Sequence, residues 1–139
     1  MAGSKSDALA NSLLDHVYGG PDYTRLSPLH VRLYTVAPTH AGGGTEVDEA
    51  VWTNYEPVSV VNNDTNFPAA SGQVKSNGVA IDFGTAAITG GPVVVVAFSI
   101  CTQESGDNML GWGPVTPNKT INNGDGAKFP IGSLTITES

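Results

Sequence analysis

The chain has a single cysteine, Cys101, and so cannot close a disulfide within itself. The apolar run before that residue marks it as a small buried hydrophobe rather than a reactive thiol. Charge is scarce: 14% of residues carry one, against roughly 25% in an average domain. Basic residues are scarcer still, six Lys and Arg against 13 Asp and Glu, for a formal charge of −7. Six scattered cations make no basic footprint, so nucleic-acid binding is not expected. No stretch reaches the roughly 18 apolar residues of a membrane-spanning helix, so no membrane partner is expected. The opening Met1-Ala-Gly-Ser-Lys-Ser6 lacks the apolar centre of a secretory signal, and none is expected.

Reactive constellations are missing as well. His16, His30 and His40 stand at no metal-ligand spacing, and no cysteine pair can help them. There is no nucleophile elbow, no dinucleotide fingerprint and no phosphate loop ending in lysine. Gly42-Gly-Gly44 lacks the lysine and helix that would follow in such a loop, and reads as a hairpin end. Glu46, Asp48, Glu49 and Glu56 gather near it, in what reads as a mobile, solvated acidic loop from Thr39 to Asp48, where acid–base preorganisation is hard. Asn62–Asn66 and Asn122–Gly126 offer oxygen ligands without the spaced pattern of a calcium loop, and turn formation explains both. The expectation is a protein without catalytic residues, cofactor or metal.

What is present is β-structure. Pro92–Cys101, Met109–Val115, Lys119–Ile121, Lys128–Ile131 and Leu134–Thr137 are apolar or β-branched segments separated by Asn, Asp, Gly and Pro. Leu29–Val36 alternates, Leu29, Val31 and Leu33 toward one face and His30, Arg32 and Tyr34 toward the other, as in a half-buried strand. Trp52–Val61 and Asn77–Phe83 add further strands. One helix is expected over residues 6–18: Ser6 can cap it, Asp7 suits its first turn, and Gly19-Gly-Pro21 ends it. Leu9, Leu13, Leu14 and Val17 share one face, which must dock on a sheet or on another subunit. The pattern predicts an all-β fold, an antiparallel sandwich or jelly-roll-like single domain of seven or eight strands with one N-terminal helix. Residues 1–5 read as an arm held against a neighbour, or folded back on the domain that spans 6–139. Trp52, Tyr55, Trp112, Tyr23 and Tyr34 are candidates for stacking on sugar rings.

Several segments together resemble a group of small tailed-bacteriophage virion proteins. They are Leu13-Leu-Asp-His-Val-Tyr-Gly-Gly20, Leu29-His-Val-Arg-Leu-Tyr-Thr-Val-Ala-Pro38, Gly44-Thr-Glu-Val47, Asn77-Gly-Val-Ala-Ile-Asp-Phe83 and the closing stretch Asp107–Thr137. The resemblance runs over residues 12–137. It departs after Val47, where Asp48-Glu-Ala-Val-Trp-Thr-Asn-Tyr55 replaces a Gly-Tyr-Ala-Arg type of strand opening. Members commonly carry the label of tail-fibre proteins, and the resemblance implies a virion component without an active site.

On that basis the leading expectation is a capsid decoration, or cement, protein on the outer shell of the virion. Its partners would be the major capsid protein and itself, as a trimer rather than a dimer. The alternative is a tail-fibre or baseplate-associated protein that contacts host glycans. The expected contact elements are the N-terminal arm with the helix (Met1, Ala2, Ser4, Leu9, Leu13, Val17) and the Thr39–Trp52 loop (Thr45, Val47, Val51, Trp52).

Overall fold

The computed structural model describes residues 2–138, Ala2 by its backbone alone. Ten strands and one helix follow one another: β1 (Ala2–Lys5), α1 (Asp7–Val17), β2 (Leu29–Val36), β3 (Thr45–Glu46), β4 (Val58–Val60), β5 (Val74–Ser76), β6 (Ile81–Thr85), β7 (Val93–Cys101), β8 (Met109–Ile121), β9 (Gly126–Phe129) and β10 (Thr135–Thr137). The all-β class with one N-terminal helix is what the pattern predicted. The strand count exceeds the expected seven or eight because β1, β3 and β5 join the expected strands, and β3 and β5 have only two or three residues each. Segments that short carry no readable alternation.

Eight strands form one sheet in the order β3-β2-β7-β8-β1-β10-β5, with β4 pairing on β2 beside β3. The sheet is mixed rather than purely antiparallel, because β1 runs parallel to β10, Ala2 opposite Thr135 and Gly3 opposite Ile136. No hairpin links these two strands, so nothing imposes the antiparallel sense. Residues 2–5 are therefore a strand inside the sheet, between β8 and β10, which is the folded-back arrangement of the two expected. Met1 lies outside the described residues.

A second sheet, β6 with β9, lies across the large one. Phe98 of β7 meets Phe129 of β9 edge-to-face with ring centroids 5.6 Å apart. Around that contact, side chains from both sheets make one core with Val31, Leu33, Val95, Ile81 and Leu134. The two layers are unequal, so the sandwich is lopsided.

Strand β8 is continuous over the 13 residues from Met109 to Ile121, where two strands were expected. Its ladder with β7 jumps register, from Val95–Lys119 to Ala97–Pro114. Pro117 falls inside the jump, where its missing N–H costs no ladder hydrogen bond. Helix α1 is capped as predicted: the Ser6 hydroxyl accepts from the Leu9 N–H at 3.2 Å. None of its residues is fully buried. Leu9 and Leu13 are half-buried, whereas Leu14 and Val17 are exposed. No helix is long and apolar enough to cross a membrane among the described residues.

Candidate interaction surfaces

The strict alternation read in β2 fails on its outer side. Arg32 is only 6% exposed and Tyr34 5%, so both faces of the strand are covered. The cover is the polar connection between β7 and β8. Arg32 donates through Nη1 to the Gly106 carbonyl at 2.9 Å, and through Nη2 to the Gln103 carbonyl at 2.7 Å and Asn108 Oδ1 at 3.2 Å. The guanidinium thus serves as the peg over which this loop folds back onto the sheet. Beneath it, Ser99 donates to the Tyr34 hydroxyl at 3.0 Å and lies 3.2 Å from Cys101 Sγ. Burial pushes the Cys101 thiol up, with Ser99 opposing, and pushes the Tyr34 hydroxyl up as well. Cys101 is buried, as its apolar context implied, and a thiol held protonated in this way is a poor nucleophile.

Of the expected contact residues, the structure joins two groups through His40. The Asp7 N–H donates to the His40 carbonyl at 3.0 Å, and His40 Nδ1 lies 3.1 Å from the Lys5 carbonyl and 3.5 Å from Ser4 Oγ. The start of α1 and the Thr39–Trp52 loop are therefore neighbours. They enclose a cavity of about 430 Å³ lined by Ser6, Asp7, His40, Gly42, Asp107 and Leu110, among others. Ser4 is half-buried in β1, Val17 is 64% exposed, and Thr45 is exposed.

Two expected contact residues are not on the surface. Val47 is 4% exposed and Trp52 is wholly buried. Asp48 starts the turn that sinks them: its carboxylate accepts from the Ala50 N–H at 2.8 Å and its carbonyl from the Trp52 N–H at 2.9 Å. Trp52 then bridges to Ile88, and Val51 packs against the core. The loop expected to be mobile is tied down along its length. It carries the Thr39–Gly42 bridge, strand β3 on β2, and the Val47 N–H bonded to Leu33. Of the aromatics considered for sugars, Trp52, Tyr55 and Tyr34 are core residues. Trp112 is half-buried and stacks at a tilt on His40, with centroids 5.9 Å apart.

Glu46, Asp48, Glu49 and Glu56 do converge, joined by Glu104 from the β7–β8 connection, around a cavity of about 580 Å³. Glu46 is the organised member: Tyr55 donates its hydroxyl to Oε2 at 2.7 Å, and that hydroxyl accepts from the Leu33 N–H at 2.9 Å. Burial raises the Glu46 carboxyl above its ordinary value, and the Tyr55 hydrogen bond opposes it. Among the described residues no three His, Cys, Asp or Glu side chains are arranged to hold a metal ion.

Fold and surfaces together define a β-structured domain in which polar side chains pin loops in place. The chain belongs to the family described as Podophage GP4 fiber I protein gp80, whose model matches residues 4–137. That span takes in elements from β1 through β10, so it covers the fold and not one motif. The family is one of phage structural proteins of fibre type. No curated protein matches the chain.

Proposed function

We propose that this protein is a non-enzymatic building block of a podophage fibre, acting through surfaces that other virion subunits cover. The observation that carries this reading is the match to a fibre family over residues 4–137. Two structural features support it. The helix and its C-cap expose Leu14, Val17 and Tyr18, at 57%, 64% and 77%, on a chain with little other chemistry to offer. In addition, its candidate nucleophile and most of its aromatics belong to the interior. Its partners would be further copies of itself, in a trimer, and the virion proteins at the fibre's base.

Shell decoration was the leading expectation from sequence. The fibre reading takes its support from the family description, and copy number separates the two. Quantitative mass spectrometry of purified virions, with gold labelling of the same particles, should give on the order of a dozen to a few dozen copies confined to the tail or its fibres, as ring-symmetric assemblies require. Several hundred copies spread over the head would overturn the fibre reading and restore decoration of the major capsid protein.

A further inference from the structure

The two sheets do not close on each other along the part of β8 that β1 does not cover. Between the distal half of β8 and strand β9 runs a groove of about 520 Å³. Leu33, Val95, Val115, Phe83 and Phe129 are among its lining residues. These are core side chains: Leu33, Val95, Val115 and Phe129 are buried at the foot of the groove, and Phe83 is partly exposed. The ladder of β1 on β8 reaches Gly111 and Trp112, and among the described residues no strand pairs with β8 beyond them on that side. Val115–Asn118 also fall in the register jump on the β7 side. β9 pairs with β6 alone. The groove is thus flanked by one edge of β8 and one edge of β9 on which no strand is laddered among the described residues, while their other edges pair with β7 and β6.

The rim is charged in the opposite sense to the molecule. Lys119 and Lys128, two of only six basic residues on a chain of formal charge −7, stand exposed on its two sides. Neither makes an ion pair among the described residues. The nearby Asp125 is engaged in its own turn, accepting from the Asn122 N–H at 2.8 Å. Lysine and proline on an exposed edge also discourage indiscriminate strand pairing. That guard accounts for Pro117 and Lys119, but not for an apolar trough under them.

We infer that this groove receives an extended segment of a partner protein in which apolar residues alternate with acidic ones. The period of two in an extended chain sends the apolar side chains down between the sheets. It leaves the carboxylates at the level of Lys119 and Lys128. The inference does not depend on whether the protein sits in a fibre or on the shell.

The test uses the full chain, labelled with ¹⁵N, and two capped seven-residue peptides, one alternating valine with glutamate and the other valine with lysine. The glutamate peptide should shift amides in Val115–Ile121 and Gly126–Phe129, and bind at least tenfold more tightly than the lysine peptide. The Lys119→Glu, Lys128→Glu double variant should reverse that order. Equal binding of the two peptides, or shifts confined to other elements, would overturn the inference using the wild-type protein alone. So would protection of the same amides by self-association without peptide, which assigns the groove to a second copy. Displacement of the glutamate peptide by dodecanoate at equal concentration, with the same residues shifted, would assign it instead to a small amphipathic anion.

Discussion

Glu46 holds a half-buried carboxyl against the hydroxyl of Tyr55, and burial raises its proton affinity above that of an exposed glutamate. Between the unfolded value and this raised folded value, the folded state binds more protons than the unfolded one. Stability must therefore fall as pH climbs through that window, and stay at the lower level above it. Glu46→Gln keeps an oxygen to accept from Tyr55 and removes the titration. The variant should melt higher than the parent at neutral pH, with the gap closing as pH drops into the ordinary carboxylate range. Paired melting curves between about pH 4 and 8 read this directly, and a gap independent of pH would contradict it. The acidity of this loop was plain in the sequence; its anchoring was not. Nothing local to Glu46 announces Tyr55 nine residues on as its donor. Arg32 was misread for a related reason. Its neighbour on β7 is Ser99, as Cys101 faces His30 and Ala97 faces Tyr34. Small residues opposite large ones leave room for a buried polar layer, a signal visible only once the register of β2 on β7 is known.

Strand β7 was legible from its apolar run, β2 from the apolar spacing of Leu29, Val31 and Leu33, and helix α1 because its cap and its stop are both written locally. Strand β1 was not legible. Ala-Gly-Ser-Lys has no alternation, and its place is set by glycines on both sides of the contact. A Cβ on Gly113 would lie 2.6 Å from Gly3 Cα, and one on Gly111 would lie 2.7 Å from the Ser4 carbonyl oxygen. The close approach of β1 to β8 is thus possible only without side chains there. β1 in turn joins β8 to β10 and β5, so the far end of the sheet hangs on it. Gly113→Ala should push β1 off β8 and cost about 2 kcal/mol, as overpacking of a tight contact does. Urea unfolding gives the loss, and hydrogen exchange gives its location. Amides of β1 and β10 should lose protection while those of β2 and β7 keep theirs. Uniform loss would mean that β1 is no separate weak seam. A truncation of residues 1–5, which looked like removal of an arm, should on the same grounds split the sheet rather than only weaken assembly.

At the scale of the whole molecule the question is whether the lopsided sandwich folds as one unit. Nothing in the sequence could answer it, because the joint between the sheets depends on Phe129, Phe83 and Phe98, which lie on three separate strands. Phe129 is the hub: it meets Phe98 at 5.6 Å and Phe83 at 6.5 Å, both edge-on, and is 5% exposed. Tyr55 stacks on the far side of Phe83 at 6.0 Å and reaches Trp52, so the aromatic chain runs from the small sheet into the loop after β3. Phe129→Ala removes the hub from a core that both sheets share, and should cost about 3–5 kcal/mol. If the core is single, that loss lowers protection in β7 and in β6 together, and calorimetric and van't Hoff enthalpies of the parent agree. If instead β6 and β9 exchange freely while β7 holds its protons, the small sheet is a separate lid. In that case the groove beside β9 would open by the movement of one layer against the other, and the peptide-induced shifts would spread over all of β6.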